Sequence, residues 1–417
     1  MATAKNLFYI GIVFIFCSSI GESLSFESRR SLLDGGGPAI FDVKTFGALA
    51  DDNTDNVLAF RKAWMAACKN STTPATLLFP EGVFRTSQTM FAGPCTSPSP
   101  ITVKVIGTLK ATTDLSEYVS PDWITFLEVD GMVLNGGGVF DGQGAISWPL
   151  NDCKKNKGNC ASLPDSMKFD KVNNTVVSGI TSLNSMGFHY HVHRCSNLSF
   201  TNLTITAPGN SPNTDGMHIS SSSLISVSES VIGTGDDCIS IGHSTINITI
   251  AGIKCGPGHG ISVGSLGKRR EEKTVEGVFV KNCSFTNTTN GARIKTWCGL
   301  VPAEAKNIIY ENLIMNAVQN PIVIDQSYGK KDRVASTSVW KISDVHFRNI
   351  SGTTVSNIPV SLQCSTTNPC ENIEVADIDL SYVGVTRNTT FVSDCVNAKA
   401  SFGGKLNPPA CTSVLTF

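Results

Sequence analysis

The chain is 417 residues long, carries a formal net charge of −1 and has only 16% charged residues. That balance argues against a nucleic-acid binder acting by bulk charge, so any anionic partner has to be met by a local cluster. A chain of this length ordinarily divides into two or three domains, unless it is a solenoid that adds core turn by turn.

The first residues read as a processing segment. Lys5 precedes an unbroken apolar run over 7–16, and the small residues Ser18, Ser19, Gly21 and Ser23 follow. This is the layout of a secretory signal peptide, assigned to residues 1–24, and the run is too short to span a bilayer. The remainder, 25–417, is expected to be one exported domain with no membrane partner. Fourteen cysteines, one of them (Cys17) in the signal, agree with an oxidising destination. So do nine N-x-Ser/Thr sequons, at Asn70, Asn173, Asn197, Asn202, Asn247, Asn282, Asn287, Asn349 and Asn388. Thirteen mature cysteines leave at least one outside an intrachain disulfide. The close pairs Cys153/Cys160, Cys238/Cys255 and Cys364/Cys370 are the economical pairings.

Over 55–70, Val57, Phe60, Trp64 and Cys68 recur at helical spacing. An amphipathic helix there would cap the open end of a solenoid, where apolar core and strand edges are otherwise exposed. From about Phe169 to Leu380 short alternating runs repeat: Thr175-Val176-Val177, Leu198-Ser199-Phe200, Ile225-Ser226-Val227, Ile248-Thr249-Ile250, Val278-Phe279-Val280, Ile308-Ile309-Tyr310, Val345-His346-Phe347 and Ile373-Glu374-Val375. Period-2 alternation, β-branched residues and flanking Gly/Asn turns predict short strands, often paired with a second run such as Ile239-Ser240-Ile241. No helical pattern separates them. Successive starts roughly 22 to 37 residues apart favour an all-β parallel β-helix, with a β-sandwich as the alternative because its turn spacing is locally similar. Cys395 and Cys411 could pin the Gly/Pro-rich tail.

Asp215, Asp237 and His259 lie 22 residues apart in each step. One coil per step would stack them on one wall, in Asn213-Thr214-Asp215, Gly235-Asp236-Asp237 and Gly258-His259-Gly260. Adjacent strand residues face opposite sides, so Asp236 and Asp237 share a site only if the backbone turns, as Gly233-Thr234-Gly235 permits. Three carboxylates in one cleft cannot all ionise freely, and one pKa must rise. A protonated acid beside an ionised base is what glycosidic cleavage requires. Asp/Asn/Gly at such places also make ordinary turns, but four such residues in one register favour a site. Calcium binding is a third reading, weakened by nearby cations.

Arg293-Ile294-Lys295 is a polar–apolar–polar strand, so both cations share one face and would hold a substrate carboxylate. By position alone, an exposed strand face explains the pair equally well. Lys268, Arg269 and Arg270 read as a solvated loop bordering the cleft. His259 is in line with the acids and is assigned a supporting role. His189, His191 and His193 alternate as metal ligands might, yet no carboxylate or cysteine set completes a recognisable site.

With Arg293-Ile294-Lys295 included, these four motifs stand in the order found in the polygalacturonases, the pectin-hydrolysing glycoside hydrolases, and the chain resembles that family from about Phe41 to the C-terminal cysteines. Gly256-Pro257-Gly258-His259-Gly260-Ile261-Ser262 and Arg293-Ile294-Lys295-Thr296-Trp297 look like the plant members, the pollen type especially. The resemblance implies a right-handed parallel β-helix and single-displacement, inverting hydrolysis of α-1,4-galacturonosidic bonds by a secreted, monomeric cell-wall enzyme. It implies that Asp236 protonates the leaving oxygen while Asp215 and Asp237 activate water. His259 would position the acid, Arg293 and Lys295 would hold the galacturonate carboxylate, and Tyr328 and Asn213 would line the sugar site. No metal or organic cofactor is implied. The pollen-type likeness points to exo action from the non-reducing end, with endo action as the alternative. A β-helical pectate lyase and a non-catalytic pectin-binding protein are the rivals. Two positions depart from the family pattern: Gly329 follows Tyr328 where a cysteine is common, and Cys298 stands where proline is usual.

Overall fold

The computed structural model describes residues 37–151, 162–299, 301–330, 337–386 and 390–411. The expected signal segment, the Cys153/Cys160 pair and the Asn388 sequon lie outside the described residues. Among the described residues the strands form one sheet of 11, stacked as a single ladder, and a second of 21, in which two ladders join in the late coils; pairing is parallel, coil on coil. Parallel stacking one coil apart excludes the antiparallel sandwich. The coil is a right-handed parallel β-helix, the hand that twisted parallel strands impose on their crossovers.

The alternation read from the sequence sets which side chains enter the core. Leu198, Ile225, Ile248, Val278, Ile308, Val345 and Ile373 occupy one register column. Phe200, Val227, Ile250, Val280, Tyr310, Phe347 and Val375 form the next inward column. All are at most 1% exposed, and each contributes about 1.5–3 kcal/mol by leaving water. In the last coils, Glu304–Val318, Lys341–Thr354 and Cys370–Tyr382 run through two faces as single strands.

Asparagine makes the corners between faces. Asn197, Asn202, Asn247, Asn282, Asn287 and Asn349, six of the sequon residues, are exposed with φ between 49° and 59°. Asparagine tolerates this left-handed conformation better than other residues with side chains. The amides also stack, with Asn312 Nδ2 donating to Asn282 Oδ1 (3.2 Å) and Asn349 Nδ2 to Asn312 Oδ1 (2.8 Å). Corner geometry alone therefore accounts for asparagine at these sequons.

The N-terminal cap forms as expected. Helix Val57–Met65 buries Ala59, Phe60, Ala63 and Trp64, and Asp55 Oδ1 accepts from Val57 N (3.1 Å) at its start. Phe60 meets Phe79 edge-on at 4.8 Å and Trp64 meets Phe91 at 5.3 Å. A disulfide not anticipated from spacing, Cys68–Cys95, ties the end of this element to the first coils. Cys238–Cys255, Cys364–Cys370 and Cys395–Cys411 form as proposed. Cys195 and Cys283 are buried thiols, which burial pushes up to about 12 and about 11 respectively, so they are protonated and inert.

Candidate active site

The candidate site lies on the 11-stranded face. Strands Met217–Ser220, Ile239–Ile241, Ile261–Leu266 and Asn290–Thr296 stack there with Met217, Ile239, Ile261 and Ala292 in one column. Two residues before each stand Asp215, Asp237, His259 and Asn290. The 22-residue interval is thus one coil. Asp236 and Asp237 precede their strand, at a bend. Gly235 is required there, because a Cβ would lie 1.9 Å from the Ser211 carbonyl oxygen of the preceding coil. Thr214 Oγ1 accepts from Gly235 N (3.1 Å), locking one acid motif to the next.

The two stacked carboxylates live in opposite fields. Asp237 is 1% exposed at its side chain. Its Oδ1 accepts from Arg293 Nη2 (2.6 Å) and Ser262 Oγ (3.0 Å), and its Oδ2 accepts from Lys295 Nζ (2.7 Å). Burial raises its pKa, but the Lys295 and Arg293 charges outweigh that and hold it below the ordinary carboxylate value. Asp215 is also buried, and its Oδ2 accepts from Ser240 Oγ (2.7 Å). Burial and then the neighbouring Asp236 and Asp237 charges push it well above the usual value, against the Ser240 hydrogen bond. The raised carboxyl expected from crowding is therefore clearest at Asp215, which touches no cation directly.

Asp236 is the open member, with 26% of its side chain exposed. Its Oδ1 accepts from Asp237 N (2.8 Å) and lies 2.9 Å from His259 Nδ1. His259 is the neighbour of Asp236, as its alignment suggested. Arg293 and Lys295 do share one face across the buried Ile294. They are not waiting free for substrate, however, since both are bonded to Asp237. Arg293 uses Nε on Ser262 (2.9 Å) and Nη2 on Asp237, and Lys295 spends one of three donors on Asp237. Donors on both remain for a second anion. A calcium ion placed at Asp237 would have to displace these cations.

Tyr328 stands next to this pair, with Lys295 Nζ 5.2 Å from its ring centroid and Trp297 packed edge-on at 5.0 Å. Asn213 is exposed in the left-handed region (φ 55°) at the turn before Asp215. The three alternating histidines do not converge. His189 is buried against Ser182 Oγ (2.8 Å), His191 Nδ1 lies 2.8 Å from Asp165 Oδ2, and His193 Nδ1 lies 3.1 Å from Ser220 Oγ. Burial pushes His189 down to about 3 and His193 to about 4, so neither is charged near neutrality.

Sequence reasoning missed Ser240, Ser262 and His218. His218, Ser240, Ser262 and Arg293 form one outward column, and each serine reaches back one coil to an aspartate. His218 Nδ1 lies 2.8 Å from Ser240 Oγ. Because Ser240 donates its hydrogen to Asp215, that nitrogen must be the donor to the serine. Burial pushes His218 down to about 3, which keeps the ring neutral. The available signal was the polar centre of Ile239-Ser240-Ile241 and Ile261-Ser262-Val263, directly after the acid motifs.

One buried acid fixed by two cations, a second held by a serine and a partly exposed acid beside them are the arrangement of a carbohydrate-active hydrolase class. The family model "Glycosyl hydrolases family 28" matches residues 68–403, and the chain belongs to that family. It is 43% identical over 414 residues to an exopolygalacturonase of Arabidopsis thaliana, covering 97% of this chain and 96% of that one. It is 42% identical over 408 residues to a polygalacturonase of Nicotiana tabacum, covering 97% of each. The fold is similar to the crystal structure of an exopolygalacturonase from Thermotoga maritima, with TM-score 0.71, 19% identity and coverage of 90% and 91% of the two chains.

Proposed function

We propose that the protein is a secreted polygalacturonase that hydrolyses α-1,4-galacturonosidic bonds of polygalacturonate and pectin from the non-reducing end. The observation that carries this reading is the Asp237–Arg293–Lys295 cluster. The same two cations that keep a buried carboxylate ionised have donors left for a uronate carboxylate. Asp236, open to the cleft and held by His259, gives its proton to the glycosidic oxygen as the bond to the anomeric carbon breaks. A water bound by Asp215 and Asp237 attacks that carbon from the opposite face and passes them its proton, inverting the anomer. Asp215 must be ionised for this step, so the acid limb of the pH–rate profile follows its raised pKa. Because one carboxyl must stay protonated while another is ionised, an acidic optimum is expected. The exo assignment follows the naming of the Arabidopsis relative, and export follows the four disulfides among the described residues.

A retaining course would need a nucleophilic carboxylate beside the acid. Against a retaining displacement, Asp237 has both oxygens engaged by Arg293, Ser262 and Lys295, which blunts it as a nucleophile. Proton NMR of the first-formed anomer during polygalacturonate hydrolysis separates the two courses. Chromatography of the same reaction should show monomer from the start with slowly falling viscosity. Early intermediate oligomers with a sharp viscosity drop would sink exo action, and an unsaturated, ultraviolet-absorbing product would mean a lyase.

A further inference from the structure

Asn290 is the fourth member of the column that holds Asp215, Asp237 and His259, and the hydrolysis described above leaves it without a task. We propose that Asn290 is a positioning residue for that reaction: it fixes the backbone of His259 and, through His259, the acid Asp236. The proposal rests on the polygalacturonase reading of the site.

His259 stands on a segment that does not hold itself. Both neighbours are glycines with positive φ, +151° at Gly258 and +84° at Gly260, and glycine brings little conformational preference of its own. The adjoining coils require them. A Cβ at Gly258 would lie 2.8 Å from the Asp236 carbonyl oxygen, and one at Gly260 would lie 2.2 Å from that of Asn290. His259 is therefore clamped between the acid on one side and Asn290 on the other, and hydrogen bonds from outside the segment decide where it sits. Three of these are backbone to backbone: His259 N donates to Asp236 O (2.8 Å), Thr289 N to Gly258 O (2.8 Å) and Cys238 N to Gly260 O (2.8 Å). They form with any side chains that keep the coil. The fourth depends on the residue chosen at 290, because Asn290 Nδ2 donates to His259 O (3.2 Å).

Asn290 is only 5% exposed. That burial keeps it from direct contact with a sugar and makes its amide costly unless it is hydrogen-bonded. Both ends are used. Nδ2 holds the His259 carbonyl, and Oδ1 accepts from Asn320 Nδ2 (3.4 Å), which also donates to Thr289 O (2.9 Å). The line Asn320–Asn290–His259–Asp236 thus crosses four successive coils. It ends at the open acid, where His259 Nδ1 lies 2.9 Å from Asp236 Oδ1. A hydrogen bond to an imidazole depends on both distance and ring direction, so a displaced His259 peptide is felt at that contact.

The test is a double-mutant cycle read in kcat and KM on polygalacturonate. Asn290→Ala should lower kcat about tenfold, the scale of one lost buried hydrogen bond. KM should hold, because Arg293 and Lys295 keep their places. His259→Ala should lower kcat further, and Asn290→Ala should add nothing in the His259→Ala background. A general packing defect would instead multiply in the double variant and raise KM with it. Asn290→Leu fills the space without a donor and should match Asn290→Ala; it carries the cycle if the smaller side chain unfolds the coil. Independent losses in the cycle, an unchanged kcat, a rise in KM as large as the fall in kcat, or loss of the fold in both variants would overturn the positioning role. If the unmodified protein releases no galacturonate from polygalacturonate, the failure belongs to the proposed function instead.

Discussion

Two groups on the same face share a composition and differ in what they can do. Asp122, Asp165, His191 and Lys168 on the N-terminal coils match Asp236, Asp237, His259 and Lys295 in the middle of the helix. Each set brings two carboxylates and an imidazole within 4.8 Å. In the first, both acids lie on regular strands, Asp122–Leu127 and Asp165–Asp170, and both are buried. Asp165 is tied to His191 and to Phe188 N (2.8 Å), and Asp122 to Lys168 (3.0 Å). Burial pushes Asp165 up, against the His191 contact. In the second, the bend at Gly235 turns two consecutive acids to one side, and only Asp236 keeps a quarter of its surface open. A fixed ionised carboxylate with an exposed acid beside it is a reactive pair. Two buried acids on straight strands are a structural cluster.

The comparison breaks most sharply at single amide substitutions. Asp236→Asn removes the proposed proton donor and should lower kcat by about 10²–10⁴ with melting temperature and substrate affinity retained. Asp165→Asn should leave kcat near that of the unmodified enzyme, with its effect confined to stability. Steady-state kinetics beside denaturant melts read both. A kcat loss at Asp165 equal to that at Asp236 would place the N-terminal group in the catalytic machinery.

Asp215 offers a second break, because function and stability should part there. Its folded pKa lies above the unfolded one, so the stability it contributes is complete below the unfolded value and is lost as pH rises through the folded value. Asp215→Asn cannot ionise. It should be more stable than the parent near neutrality, by on the order of 1–2 kcal/mol, with the gain vanishing near pH about 3. Hydrolysis should fall at the same time. Thermal melts across pH check the sign, and a variant less stable at pH 7 would show that the carboxylate is better compensated than its contacts indicate.

Much of this contrast was legible before the fold was seen, for physical reasons. A β-helix coil has nearly constant length, so equal spacing of Asp215, Asp237 and His259 translated directly into stacking. Alternation likewise put Arg293 and Lys295 on one face. The pairing of both cations with Asp237 was not legible, since a strand face reveals direction but not the carboxylate that bends into it. Nor was Cys68–Cys95, whose halves are 27 residues apart and meet only because a helix folds over the first coil. The Asp122–Asp165–His191–Lys168 group escaped notice because its members lie in three coils without an equal interval.

The finest distinction is between the serines that hold the two stacked aspartates. Ser240 is the hydroxyl donor on Asp215, whereas Ser262 shares Asp237 with Arg293 and Lys295. Ser240→Ala withdraws a hydrogen bond from the charged form of Asp215, an interaction worth about 1.5–3 kcal/mol. The acid limb of kcat/KM should therefore move to higher pH. Ser262→Ala leaves two cations on Asp237 and should move the limb less. His218 touches Asp215 only through Ser240, so His218→Ala should shift the limb in the same direction and add nothing in the S240A background. Profiles for the four variants read this directly. If Ser262→Ala shifts the limb as far as Ser240→Ala, then Arg293 and Lys295 do not set the difference between the two carboxylates, and the hydroxyls do.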